Sequence, residues 1–145
     1  MTQEEKDLLL KDLCSRIPYG VKVQIDLQSD IYPPMICKVC NIEFVEMGGS
    51  FIGVEVLPDS YSEYREFLCK PYLFPLSSMT EEQKKEYTHI VNYISSDDTD
   101  NWKEGEFIYV EQLNQLMHFY HKNHFDYIGL IDKGLAINAN NLNIY

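Results

Sequence analysis

"VKVQIDL", residues 21–27, alternates apolar and polar side chains without a break. Val21, Val23, Ile25 and Leu27 fall on one side, and Lys22, Gln24 and Asp26 on the other. Successive side chains of an extended chain point to opposite faces, so this period of two predicts a strand with one buried face. The next segments repeat the pattern. A second strand is expected from about Ile36 to Met47, with Cys40, Ile42 and Phe44 inward. Its alternation breaks at Cys37–Val39, which fits a bulge or burial on both sides. Gly48 and Gly49 of "MGGS" (47–50) accept positive φ and mark a hairpin. A third strand follows at 51–57, with Ile52, Val54 and Val56 on one face. The three predict an antiparallel meander over 21–57.

Working outward, residues 3–17 carry Leu9, Leu10, Leu13, Cys14 and Ile17 at helical spacing, with Glu4, Glu5, Asp7 and Asp12 elsewhere. Thr2 and Glu5 form a capping-box pattern, and Pro18 closes the helix. Beyond the meander, "YSEYREFL" (61–68) reads as a short helix. "KPYLFPLSS" (70–78) is extended, and Pro71 and Pro75 restrict it to a sheet edge. "TEEQ" at Thr80 is a second capping box, opening a helix with Tyr87, Ile90, Val91 and Ile94 on its apolar stripe. Residues 95–106 form a polar, acidic loop. A long helix is predicted over 109–122, with Val110, Leu113, Leu116, Met117 and Tyr120 on one face. A short helix from Asp126 to Lys133, N-capped by Asp126 and ended by Gly134, precedes a terminal strand at "LAIN" (135–138).

Strands followed by helices predict an α+β fold in one domain spanning 1–145: an N-terminal helix, the meander, and two or three C-terminal helices packed on one face. The expected core is Val23, Ile25, Ile42, Phe44, Val54, Val56, Ile90, Leu113 and Met117.

The charge excludes several functions. Twenty-three acidic residues face twelve basic ones, for a net charge of −11, and Arg16 and Arg65 are the only arginines. Nucleic-acid affinity rests on Lys and Arg displacing counterions, so no nucleic-acid partner is expected. Anionic membranes are disfavoured for the same reason. The acidic start "MTQEEKDLLLKDL" lacks the basic and apolar regions of a signal peptide. No run reaches the ~20 apolar residues of a membrane helix. The expectation is a cytoplasmic protein with reduced cysteines.

Three patterns invite chemistry. His118, His121 and His124 recur every third residue and Asp126 follows, a candidate metal set and the basis for a metal-dependent enzyme. Helical ligands usually sit at i, i+4, however. Spacing of three turns the rings about 60° apart, which favours a polar helix end whose histidines face the negative pole of the dipole. Cys37 and Cys40 form C-x-x-C inside a strand pattern, where alternation separates them; packing is the better reading and no cofactor is expected. "DDTD" (97–100) fails the calcium-loop frame, since Trp102 and Lys103 occupy its fifth and sixth positions counted from Asp98. What remains is a partner-binding surface at Trp102, Asp98, Asp100 and His118, in which acid steers and an aromatic anchors. The partner is an unknown protein or a second copy. An acidic DNA-mimic inhibitor is the other reading of the charge.

The strings "DLLLKDLCSRIPYGVKV" (7–23), "KPYLFPLSSMTEEQ" (70–83) and "NHFDYIGLIDKGLAINA" (123–139) resemble a group of small uncharacterised proteins encoded in Bacteroidales genomes, often in phage-like or mobile regions. The resemblance implies a source and a context. It carries no activity, ligand or functional residue.

Overall fold

Thr2 and Glu5 cap the first helix as their spacing predicts. The Thr2 Oγ1 accepts the Glu5 N–H at 3.2 Å, and a Glu5 carboxylate oxygen accepts the Thr2 N–H at 2.7 Å. In the computed structural model, which describes residues 1–45, 49–57, 60–95 and 102–145 (side chains of 1–45, 49–56, 60–92 and 110–145), this helix is α1, Gln3–Arg16. A 3₁₀ turn holding Pro18 ends it, and Gly20 at φ 71° turns the chain into the sheet.

The strands are β1 (Lys22–Ile25), β2 (Met35–Val45), β3 (Gly49–Leu57), β4 (Ser60–Arg65) and β5 (Cys69–Pro75), followed by α2 (Glu81–Ser95), α3 (Trp102–Lys122), β6 (Phe125–Asp126) and β7 (Ile137–Asn138). The fold is mixed α+β, with an N-terminal helix, a mostly antiparallel sheet and C-terminal helices. The strand order is β4-β3-β2-β1-β5-β6, and β7 also pairs with β5. β1, β2 and β3 form the predicted antiparallel meander. Glu46–Gly48 of the predicted hairpin lie outside the described residues.

The sheet corrects the sequence reading in two places. The segment 61–68, expected as a helix, is strand β4 followed by a 3₁₀ turn at Glu66–Leu68. Tyr64 sits opposite Ile52 and Ser62 opposite Val54, so cross-strand pairing with β3 overrides local helix propensity. The proline-bearing β5, expected at an edge, lies inside the sheet between β1 and β6. Asp26 N–H donates to Leu68 O, which places even-numbered β5 positions towards β1. Pro71, opposite Val23, then turns its donorless nitrogen away from β1 and costs no ladder bond there.

One face of the sheet is buried beneath α1 and the turns after β6. Leu9, Leu10 and Leu13 of α1, Val23, Ile25, Val39, Ile52 and Val54 of the strands, and Leu130 and Leu135 form this core. Ile42 and Val56 pack at its margin. Phe44, expected inward, is 66% exposed. The register shifts between Val39 and Asn41, and β2 runs beyond the core only past the Ile42–Ile52 pair. Cys14 is exposed as well, whereas Asp12, assigned to the polar side of α1, is buried.

α2 and α3 pair with each other and build a second cluster from Ile90, Phe119, Tyr120 and Phe125, with Phe74 and Met117 against it. The α2 capping box is present: Thr80 N–H donates to Gln83 Oε1 at 2.9 Å, and Gln83 N–H to Thr80 Oγ1 at 3.2 Å. The helix expected over 126–133 is instead a single capped turn. Both Asp126 carboxylate oxygens accept backbone N–H groups, from Leu130 and Ile131, each at 2.8 Å. Leu135 N–H reaches back to Leu130 O at 2.9 Å, with Gly134 at φ 70°. The predicted cap chemistry is therefore in place, on a turn too short to be a helix.

One buried ion pair joins the two clusters. Arg16 Nε and Nη2 hold the Asp12 carboxylate at 2.7 and 2.9 Å, and Nη2 also donates to Phe125 O at 2.7 Å. Both side chains are fully buried. Asp12→Ala should cost about 3–5 kcal/mol of unfolding free energy, because it strands the Arg16 charge in the interior. Leu113, which the apolar stripe assigns to the core, is exposed, so Leu113→Ala should change stability by no more than about 0.5 kcal/mol. Urea unfolding of the two variants measures both.

Candidate functional site

The three histidines of α3 and its end do not converge. His118 is exposed and its Nδ1 hydrogen-bonds the Tyr19 hydroxyl at 2.8 Å. His121 is buried and its Nε2 hydrogen-bonds the Tyr127 hydroxyl at 3.1 Å. His124 lies past the helix, at φ 54°, with its ring stacked 3.8 Å from that of Tyr145. Asp126, the proposed fourth ligand, has both oxygens committed to the turn at Leu130 and Ile131. Among the described residues no group of three or more His, Cys, Asp or Glu could hold a metal ion. Each imidazole is engaged by a tyrosine: His118 by Tyr19, His121 by Tyr127 and His124 by Tyr145.

Tyr145 closes a gap in the sheet that no local sequence pattern announces. Its hydroxyl donates to Tyr72 O at 2.9 Å and accepts the Lys22 N–H at 3.1 Å. Lys22 and Tyr72 face each other where β1 and β5 separate, so the phenol bridges a missing rung of the ladder. The hydroxyl end is enclosed even though the residue as a whole is exposed, and burial pushes its pKa up to about 12. On the other face of the stack, His124 is buried with Nδ1 unpartnered among the described residues.

The cysteines offer no reactive thiol pair. All four are free, Cys37 and Cys69 are buried, and burial drives the Cys69 thiol up to about 12. On β2, Cys37 is buried and Cys40 half-buried.

The partner-binding residues fare differently. Asp98 and Asp100 lie outside the described residues. Trp102 is the first residue of α3, so this helix starts seven residues before the predicted Tyr109; its side chain lies outside the described residues. The predicted stripe Val110, Leu113, Leu116, Met117 and Tyr120 is one helical face, but its two ends differ. Tyr120 is buried, and Leu116 and Met117 pack on the second cluster. Val110 is 57% exposed and Leu113 51%. α3 packs on α2, β6 and α1, whereas Val110 and Leu113 of the stripe stay exposed. Beside it, Glu86, His89, Ile90, Glu111, Gln115 and His118 line a groove of about 500 Å³ between α2 and α3.

Comparison with protein-family models, with curated proteins and with solved structures finds no match to this chain. Among the described residues no helix is long and apolar enough to cross a membrane.

The buried histidines make stability depend on pH. Burial, reinforced by the Arg16 charge, lowers the pKa of His121 and of His124 from 6.5 to about 4. Between those values the unfolded chain binds protons that the folded chain refuses. Their contribution to stability is thus fully present above about pH 6.5 and is lost as pH falls towards 4. Urea midpoints should fall across that window. His124→Asn, which tolerates the left-handed backbone and does not titrate there, should show a shallower decline.

Proposed function

We propose that the chain is a small acidic protein-interaction module, of phage or mobile-element origin, that seats a basic partner on the amino-terminal stretch of α3. The observation that carries this reading is the uncovered half of the α3 stripe. Singly exposed apolar residues are ordinary. Val110 and Leu113 instead prolong a row that is buried at its other end, which leaves an apolar ridge on a helix.

Charge supports a basic partner over a second copy. Residues 81–118 contain nine acidic residues against three lysines, more than half of the chain's net −11. Two copies would bring like fields together, whereas a basic surface would be steered in. Rim charges add only ~0–1 kcal/mol each, so the anchors must supply most of the affinity. A desolvated tryptophan contributes ~2 kcal/mol or more at an interface. Trp102 precedes Leu113 by three helical turns on α3 and is placed in this role. The dispersal of His118, His121, His124 and Asp126 removes support from a metal-dependent enzyme.

A partner captured by the immobilised chain, then purified, tests the reading. Leu113→Asp should weaken binding about ten-fold or more with the melting temperature unchanged. Trp102→Ala should weaken it far more than Asp98→Asn, which should mainly slow association and blunt its salt dependence. The emission of Trp102, the single tryptophan, should shift to the blue when the partner binds. A partner that binds Leu113→Asp as well as the wild type, and is lost as acids are neutralised, would instead point to a DNA mimic.

A further inference from the structure

A separate cleft of about 730 Å³ opens where the start of α1, the turn entering β5 and the turn after β6 meet. That volume suits a small molecule. Its lining reverses the character of the chain: Lys6 comes from α1, Lys70 from β5 and Lys133 from the later turn. Three lysines from three separate elements converge in a molecule with nearly twice as many acids as bases.

The two acids in the lining do not cancel all of this charge. Glu5 is held by the Thr2 N–H at 2.7 Å in the helix cap. Glu66 pairs with Lys6 at 2.9 Å and accepts the Ser50 N–H at 3.2 Å. That pair is nearly buried on the floor of the cleft. Lys70 and Lys133 are exposed and have no ion-pair partner among the described residues. They leave a net positive field. Phe67, 57% exposed, adds an open aromatic surface to the lining, and Leu9 and Leu135 give it an apolar side.

We propose that this cleft binds a small phosphorylated aromatic molecule, with Lys70 and Lys133 on the phosphate and Phe67 against the ring. Lysine ammonium groups act on phosphate as point charges. An exposed phenylalanine offers a stacking face that tolerates many ring systems. The chain's overall acidity limits such a ligand to one small enough to feel chiefly the local field, because a long polyanion would meet the acids beyond the cleft. The site is distinct from the α3 ridge and does not depend on a partner binding there.

The test is an amide-resolved NMR titration of the full chain with adenosine monophosphate, adenosine and inorganic phosphate. The monophosphate should move the amides of Lys6, Phe67, Lys70, Lys133 and Gly134. Adenosine alone and phosphate alone should each bind about ten-fold more weakly or worse. Lys70→Ala with Lys133→Ala should weaken the monophosphate about ten-fold while amide dispersion is kept, and the paired Lys→Arg variant should retain binding. Phe67→Ala should bring the monophosphate down to the level of phosphate alone. Absence of cleft shifts at about 10 mM monophosphate, shifts scattered over the surface, or equal binding by phosphate alone would each overturn the proposal.

Discussion

Arg16 ties the end of α1 to the end of α3 and to β6. It lies at the end of α1 with its guanidinium fully buried. There it holds Asp12 one turn back, Tyr120 O at the end of α3 and Phe125 O in β6. It also lies 5.5 Å from the centre of the Tyr127 ring. A planar guanidinium with five donors can satisfy several acceptors in fixed directions, which lysine cannot do. Taking both charges out of water is expensive. Burial is the largest influence on Asp12 and raises its pKa despite the pull of Arg16. The pair is therefore a poor source of net stability, and its effect is positional: it fixes where α3 ends against α1.

That fixed junction explains why the molecule has two clusters instead of one. The sheet's buried face is filled by α1 and the turns at 128–136. Nothing is left there for α2 and α3, which pack on each other and meet the rest at Phe74, Phe125 and the base of α3. A hairpin anchored at one end carries its apolar stripe past the body that would cover it. The exposed Val110 and Leu113 are thus a consequence of the same junction that buries Tyr120.

Much of the fold was legible where local signals and tertiary demand agree. Alternation, strict in 21–27 and broken once in the second strand, marks the meander, and Thr2, Thr80, Asp126 and Gly134 mark their caps because capping is decided by neighbours in sequence. The failures have a common form. Residues 61–68 have the composition of a helix, but β3 offered them an edge to pair with. β5 looked like an edge because its prolines lack donors, and only the register shows that Pro71 points its nitrogen away from β1. Asp12 looked like a solvated helix charge, since the four-residue spacing that pairs it with Arg16 is equally common on surfaces. For the candidate site, the α3 stripe was visible as a stripe. Whether a body lay over each of its turns depended on where α3 was anchored, and no local pattern encodes that. Lys6, Lys70 and Lys133 are too far apart in sequence to suggest a common cleft.

The two surfaces lie on opposite signs of charge and are joined by one element. The cationic cleft sits at the start of α1, and the Arg16 junction with α3 at its end. Fourteen helical residues span about 20 Å, roughly two and a half Debye lengths at physiological salt, so direct electrostatic coupling between the surfaces is largely screened. Coupling would have to pass through α1 itself. A ligand shifts an equilibrium only by its differential affinity for two states, and α1 is capped at one end and pinned by a buried ion pair at the other. The Lys6–Glu66 pair tightens this further, since it ties the first turns of α1 to the entrance of β5. Occupancy of the cleft would then leave the affinity of the ridge for a partner unchanged.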